Sequence, residues 1–451
     1  MKKYLSVSPY SPQLSAVSEL GLGVEKDEVN ETVIPLLKKA IWGYFLLLIL
    51  EGALRKWFLP GLATPLLVVR DPIAIYIIYM AWKNGILVTN FYLSAMVFIG
   101  SLSVITALLT GHGNFFVALY GARILLIHFP LIFIIGNVLK KKDVINIGKV
   151  MLWISLPMTI LIALQFFSPQ NAWVNIGVGG DTEGSGFNAG AQGYFRPSGT
   201  FSFTIGIVHF YNLAACFVCY FWLNPKRINR LLLIAASLSL SAAIPLSIAR
   251  SLLFGVGITF IFLLFAILRK PKKLIRLIPI GIVLISSIML LSTNSFVQLS
   301  SEAFLQRMEN ANQIEGGVEG VVGNRYFGGM FRALTNSADQ PLFGHGSGIG
   351  TNVGSMLLTG ETTFLISEGE WGRVIGEFGP VLGIAVIFLR LGICFKLLIL
   401  SYRKLILKDA LPWLLISYCL LIFPQGQWAR PMTLGFAILI AGLVMAALKN
   451  K

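Results

Sequence analysis

The chain of 451 residues is 56% hydrophobic and only 12% charged, whereas soluble domains carry about 25% charged residues. Apolar runs of about 20 residues recur along its length, which excludes an ordinary soluble domain and places the chain in a bilayer. The net charge of +16 does not point to nucleic acid, because the basic residues cluster in short loops between apolar runs, as the positive-inside rule expects.

Residues 1–36 are polar, contain the turn-prone SPYSPQ and lack an apolar run near Met1. They read as a cytoplasmic tail, partly disordered, with a short surface helix near 30–39 and no cleavable signal peptide. Residues 37–451 read as one all-α polytopic membrane domain. Spans are expected near 40–58, 64–82, 91–110, 115–138, 147–167, 200–223, 230–246, 250–268, 274–293, 374–400, 410–424 and 430–447, about twelve helices. Lys38 and Lys39, Lys83, Lys140 to Lys142, Lys226 with Arg227 and Arg230, the RKPKK run from Arg269, Arg403 with Lys404 and Lys408, and the LKNK end fall on one side, the expected cytoplasmic face. Both termini are then cytoplasmic, and loops of about 168–199 and 294–373 lie outside.

The second of these loops breaks the pattern of the chain. It is long, Gly-rich and polar, with no lysine, and polar loops of that size are usually functional. The external basic residues are Arg196, Arg250, Arg307, Arg325, Arg332, Arg373 and Arg430, with Lys56 beside Arg55 as the one lysine. Topology disfavours both residue types outside. A guanidinium fork suits phosphate or carboxylate bidentately, whereas lysine is a point charge. The bias suits a cavity that grips a pyrophosphate; the competing reading is chance plus headgroup anchoring.

Cys216, Cys219, Cys394 and Cys419 all lie in apolar spans. The Cys216–Cys219 CxxC has no second ligand pair, and buried cysteine commonly acts as a small hydrophobe. No metal and no cofactor is expected. Glu51 and Arg55 in the first span lie i, i+4 apart and can pair; Arg70 and Asp71 fall within the second span. Structural pairing is the expectation for both. Arg123 and His128 are expected to line the same cavity as the external arginines.

Three segments carry a family resemblance. They are RPSGTFSF from Arg196, SIARSLLFGVGITF from Ser247, and the stretch from GNRYFGGMFRAL through PLFGHGSGIG to EGEWGRVIGEFGPVLG. In their order and spacing they resemble the O-antigen ligase and polysaccharide polymerase superfamily of bacterial membrane glycosyltransferases, over about residues 90–447. EGALRKW, Glu51 to Trp57, resembles a feature of a subgroup. The resemblance implies a metal-independent enzyme of the bacterial cytoplasmic membrane. It would take a glycan from an undecaprenyl-pyrophosphate carrier and pass it to an acceptor at the outer face, with Arg250 and Arg325 on the pyrophosphate. A flippase and a chain-length regulator are the partners such a polymerase implies. Family ligases carry a histidine before the E-x-G glutamate; counted back from Glu377, that position is Glu368 here. The departure favours a polymerase over a ligase.

The candidate catalytic residues are therefore Glu368, Glu370 and His345, each able to accept the acceptor's proton. Arg196, Arg250, Arg325, Arg332, Arg373 and Glu377 are the candidate contacts for pyrophosphate and glycan. Each has a structural alternative: headgroup anchoring for Arg250, a solvated helix face for Arg325 and Arg332, and a loop bonded to carbonyls for Arg196. For Glu370 it is the helix dipole, for Glu377 a hydrogen bond to a neighbouring span, and for His345 an ordinary loop position. The expected activity is polymerisation of lipid-linked oligosaccharide repeats, with inversion at the anomeric carbon. The alternatives are a ligase-type transfer to lipid or protein and, in another class, a small-anion transporter. Transporters often show two matching halves, and no such symmetry is evident here.

Overall fold

The computed structural model describes residues 32–182, 193–269, 295–315 and 328–449. Its regular elements are helical. In chain order they are α1 (Val33–Ala53), α2 (Asp71–Lys83), α3 (Phe91–Leu109), α4 (Phe115–Arg123), α5 (Leu131–Val138), α6 (Lys141–Phe167), α7 (Thr204–Leu223), α8 (Arg230–Leu246), α9 (Arg250–Leu268), α10 (Ser295–Glu315), α11 (Gly328–Thr335), α12 (Asn352–Thr359), α13 (Glu370–Ile406), α14 (Leu411–Ile422) and α15 (Pro431–Leu448). Among the described residues, nine helical stretches are long and apolar enough to cross a membrane, and α8 and α14 are shorter apolar helices. The chain is thus an α-helical, multi-pass membrane protein. The span expected near 274–293 lies outside the described residues. The first helix begins at Val33, so the surface helix expected near 30–39 is the start of the first span.

Helices α7 and α15 are hydrophobic on every side and almost wholly buried. A helix of that kind belongs inside a bundle, and the other spans pack around these two. Gly442 of α15 lets α5 approach closely: a Cβ there would stand 2.7 Å from Ile135 Cβ.

The basic segments gather at one end of the bundle. Lys38 pairs with Asp143 at 2.7 Å, Lys141 with Asp409, Arg269 with Tyr402, and Lys449 donates to the Asn137 carbonyl at 2.6 Å. At the opposite end, Trp57 stacks on Trp173 with ring centres 5.4 Å apart, and the His112 amide donates to the His345 carbonyl at 3.1 Å.

Three departures from regular helix shape the second end. Two π-helical turns, Leu54–Phe58 and Ile124–His128, extend α1 and α4; such turns are rare and collect at functional sites. Helix α13 breaks at Gly379, whose φ of 77° glycine adopts readily, and Pro380 follows. The arm 370–378 then folds back along 380–406. A Cβ on Gly383 would stand 2.7 Å from Ile375 Cα, a contact that an unbroken helix, rising about 1.5 Å per residue, cannot make over eight residues.

Candidate functional site

A cavity of about 920 Å³ opens where α7, α9 and α13 begin. Arg196, Arg250, Arg307 and Arg332 line it together with Glu368. Five segments distant in sequence supply these side chains.

Arg196 opens the strap 196–203 that leads into α7. Pro197 biases the preceding backbone towards extended geometry, and Thr204 Oγ1 donates to the Arg196 carbonyl at 3.0 Å. Arg250 is the first residue of α9, set there by a tight turn after α8. In that turn Ile248 has a φ of 47° and is fully buried. A β-branched residue in the left-handed region is strained and persists only where packing over-determines it. The strain lies two residues from the arginine it aims. Arg307 comes from α10 and Arg332 from α11.

The arginines feel one another. Burial first, then the charges of Arg307 and Arg250, push the Arg196 guanidinium down to about 10. Its Nε is buried with no protein hydrogen-bond partner. An anion in the cavity would relieve both the repulsion and the missing bond. Helices α9 and α13 also start at the wall, and helix N-termini favour negative charge.

Behind the cavity lies a contrasting cluster. Glu370 is buried and accepts four hydrogen bonds: from Arg373 Nε and Nη2 at 3.0 Å each, from Arg390 Nη1 at 2.7 Å and from the Trp428 amide at 3.0 Å. Glu377 accepts from Arg373 Nη1 at 2.5 Å and from the Gly350 amide at 2.9 Å. Arg390 also donates to the Phe423 and Gly426 carbonyls and lies 3.8 Å over the Trp428 ring. The Gly379 break makes the cluster possible, because only a folded-back α13 brings Arg390 to Glu370.

The GHGSGIG segment seats this cluster. Gly344, Gly346 and Gly348 all have positive φ. A Cβ on Gly344 would stand 2.5 Å from the Glu377 backbone, and one on Gly348 2.1 Å from the Val117 carbonyl. The glycines serve close backbone approach between α4 and α13.

The candidates therefore separate by place. Arg196, Arg250 and Arg332 share the cavity. Glu368 lines it too and is exposed there, so the burial expected of a base is not its environment; Gln427 holds its carbonyl. Glu370 reaches the wall, but its four donors fill the acceptor sites of its carboxylate, which leaves no lone pair for a substrate proton. Arg373 is held by Glu370 and Glu377, and Glu377 by Arg373 and the Gly350 amide, and neither lines the cavity. His345 is exposed and outside the cavity lining, with its backbone tied to Gly376 and His112. Arg325 lies outside the described residues.

Arg123 and His128 do not line the cavity either. Both bind Asp71, at 2.8 Å and 3.0 Å. Glu51 pairs more closely with Arg70, at 3.0 Å, than with Arg55, at 3.8 Å. A buried carboxylate within a membrane takes the best-placed guanidinium, and that is on the next helix. Among the described residues no three His, Cys, Asp or Glu side chains come together as a metal cluster.

No family model, curated protein or solved structure matches this chain. The likeness to O-antigen ligases and polymerases rests on the three motif segments and their order.

Sequence reasoning did not select Arg307, Arg390, Gln425 or Gln427. Arg390 carried a usable signal, as a lone charge in an apolar run. Arg307 stood among the external arginines, but nothing in its neighbours aims it. The glutamines flank a turn whose place at the cavity depends on Arg390 and Glu370.

Proposed function

We propose that this protein is a membrane glycosyltransferase that polymerises undecaprenyl-pyrophosphate-linked oligosaccharide repeats at the outer face of a bacterial cytoplasmic membrane. The observation that carries the reading is the convergence of four arginines and one exposed glutamate on a single cavity. Guanidinium forks hold phosphate oxygens bidentately, and several together offset the charge that grows on a pyrophosphate as it leaves. The acceptor's sugar hydroxyl attacks the anomeric carbon of the donor. The new glycosidic bond forms as the bond from that carbon to the pyrophosphate oxygen breaks. Glu368 takes the hydroxyl proton, and undecaprenyl pyrophosphate departs with the electron pair. A single displacement inverts the anomeric centre. The amide side chains of Asn336, Gln340, Gln425 and Gln427, also on the wall, suit sugar hydroxyls.

The test is Arg250→Lys in purified protein supplied with lipid-linked repeats. Charge is kept and the fork is lost, so polymer formation should fall by roughly 10²-fold at normal protein levels. Wild-type turnover would leave headgroup anchoring as the role of Arg250. Orientation is checked by labelling cysteines placed at Asp339 and Lys226 in whole cells. Asp339→Cys should react from outside and Lys226→Cys should not; the opposite pattern overturns the outer-face assignment.

A further inference from the structure

The EGALRKW segment has a physical partner, the strap that carries Arg196. A Cβ on Gly52 would stand 2.3 Å from the backbone of Phe201 and Ser202, so only glycine allows the two segments to meet. Arg55 Nη1 donates to Ser202 Oγ at 2.9 Å and its Nε to the Ala63 carbonyl at 2.8 Å. Thr200 Oγ1 donates back to the Ile49 carbonyl at 2.7 Å. From the far side, Gln165 Oε1 accepts the Gly199 amide at 2.7 Å.

Lys56 stands at the centre of this junction. Its side chain is 1% exposed. Its ammonium donates to Ser198 Oγ at 3.0 Å and to the Gly199 carbonyl at 2.6 Å, two and three residues beyond Arg196, and lies 4.5 Å over the Trp57 ring. No carboxylate pairs with it among the described residues. A buried ammonium without a counter-charge is costly, and a neutral side chain could fill the same space. The π-helical turn Leu54–Phe58 is the local distortion that carries Lys56 to the strap.

We propose that Lys56 is a positioning residue for the anion site. It ties the strap at Ser198 and Gly199, and so holds the Arg196 guanidinium in the cavity beside Arg250 and Arg307. Lys56 does not touch the substrate. Pro197 transmits the constraint, because its ring leaves the backbone between Ser198 and Arg196 little freedom. The proposal rests on the reading of the cavity as a pyrophosphate site, and its experiment separates the two.

Inorganic pyrophosphate binding is measured by calorimetry on the purified full-length protein in detergent. The proteins are wild type, Lys56→Met, Arg196→Gln and the double variant. Lys56→Met should weaken binding roughly tenfold, the scale of lost hydrogen bonds to a charged group, and Arg196→Gln at least as much. The double variant should bind no more weakly than Arg196→Gln alone, because the lysine acts through the arginine. Wild-type affinity for Lys56→Met, or losses that multiply in the double variant, would overturn the proposal. Wild-type affinity for Arg196→Gln would overturn the anion-site reading itself, and this proposal with it. Should Lys56→Met fail to fold, Ser198→Ala removes one tie and keeps the lysine. It should weaken binding in wild-type protein and leave Arg196→Gln protein unchanged; no weakening in the wild-type background would contradict the role.

Discussion

Two groups of arginines differ in their surroundings. Arg373 and Arg390 are buried against Glu370 and Glu377 in a closed network of ion pairs. Arg196, Arg250, Arg307 and Arg332 face a cavity, and Arg196 is under pressure from its neighbours' charge. The same residue type braces the fold in one place and lines a cavity in the other, where the reading proposed above assigns it to a ligand. Their carboxylates follow suit: Glu370 is saturated by four donors, whereas Glu368, two residues earlier, is exposed at the cavity.

The two glutamates should respond oppositely to loss of their charge. Removing one partner of a buried ion pair costs about 3–5 kcal/mol, so Glu370→Gln and Arg390→Met should each deplete folded protein in the membrane, seen by fluorescence-detected size exclusion. Glu368→Gln should leave the amount and melting temperature of the protein unchanged, while the rate of glycan transfer falls by roughly 10²–10⁴-fold. Normal yield of Glu370→Gln with lost transfer would move the base to Glu370.

A smaller effect concerns Arg196. Its guanidinium is held below its ordinary value, so its charged form is disfavoured by the fold wherever it is protonated, up to about pH 10. Arg196→Gln removes that penalty, and its melting temperature without ligand should equal or exceed that of wild type. Pyrophosphate should raise the melting temperature of wild type and do so less for Arg196→Gln. Burial and the neighbouring arginines disfavour the charged guanidinium, so the ligand effect in wild type should weaken, not strengthen, at strongly alkaline pH. A large drop in the melting temperature of unliganded Arg196→Gln would make Arg196 a structural residue.

Much of the fold was legible in the sequence, for physical reasons. Apolar runs of span length have few alternatives to membrane helices, and the lysine-rich loops do meet at one end, as Lys38–Asp143 and Lys141–Asp409 show. The break in α13 was less legible. One unbroken span was expected over 374–400, whereas the chain breaks at Gly379; the fold-back of 370–378 depends on the PLFGHG segment, whose Leu342 carbonyl would stand 2.1 Å from a Cβ on Gly379. The motifs pointed to Arg196, Arg250 and Arg332, which the structure brings into one cavity. Glu370 and Arg373 sit three residues apart in the same motif, yet Arg390, the second partner of Glu370, lies twenty residues beyond it, out of reach of helical periodicity. EGALRKW was visible as a pattern without a purpose, because its partner strap lies at 198–202, a contact that no local signal encodes.

Cleavage of a lipid-pyrophosphate donor in the cavity is the reaction proposed for this protein. Its most direct test is to reconstitute the purified wild-type protein in liposomes with undecaprenyl-pyrophosphate-linked repeats and measure free undecaprenyl pyrophosphate. It should be released in step with the appearance of longer glycan chains, and release should slow in Glu368→Gln by the same factor as glycan transfer. An intact donor, together with counterflow of a small anion across the same liposomes, would contradict the claim and make the cavity a transport site.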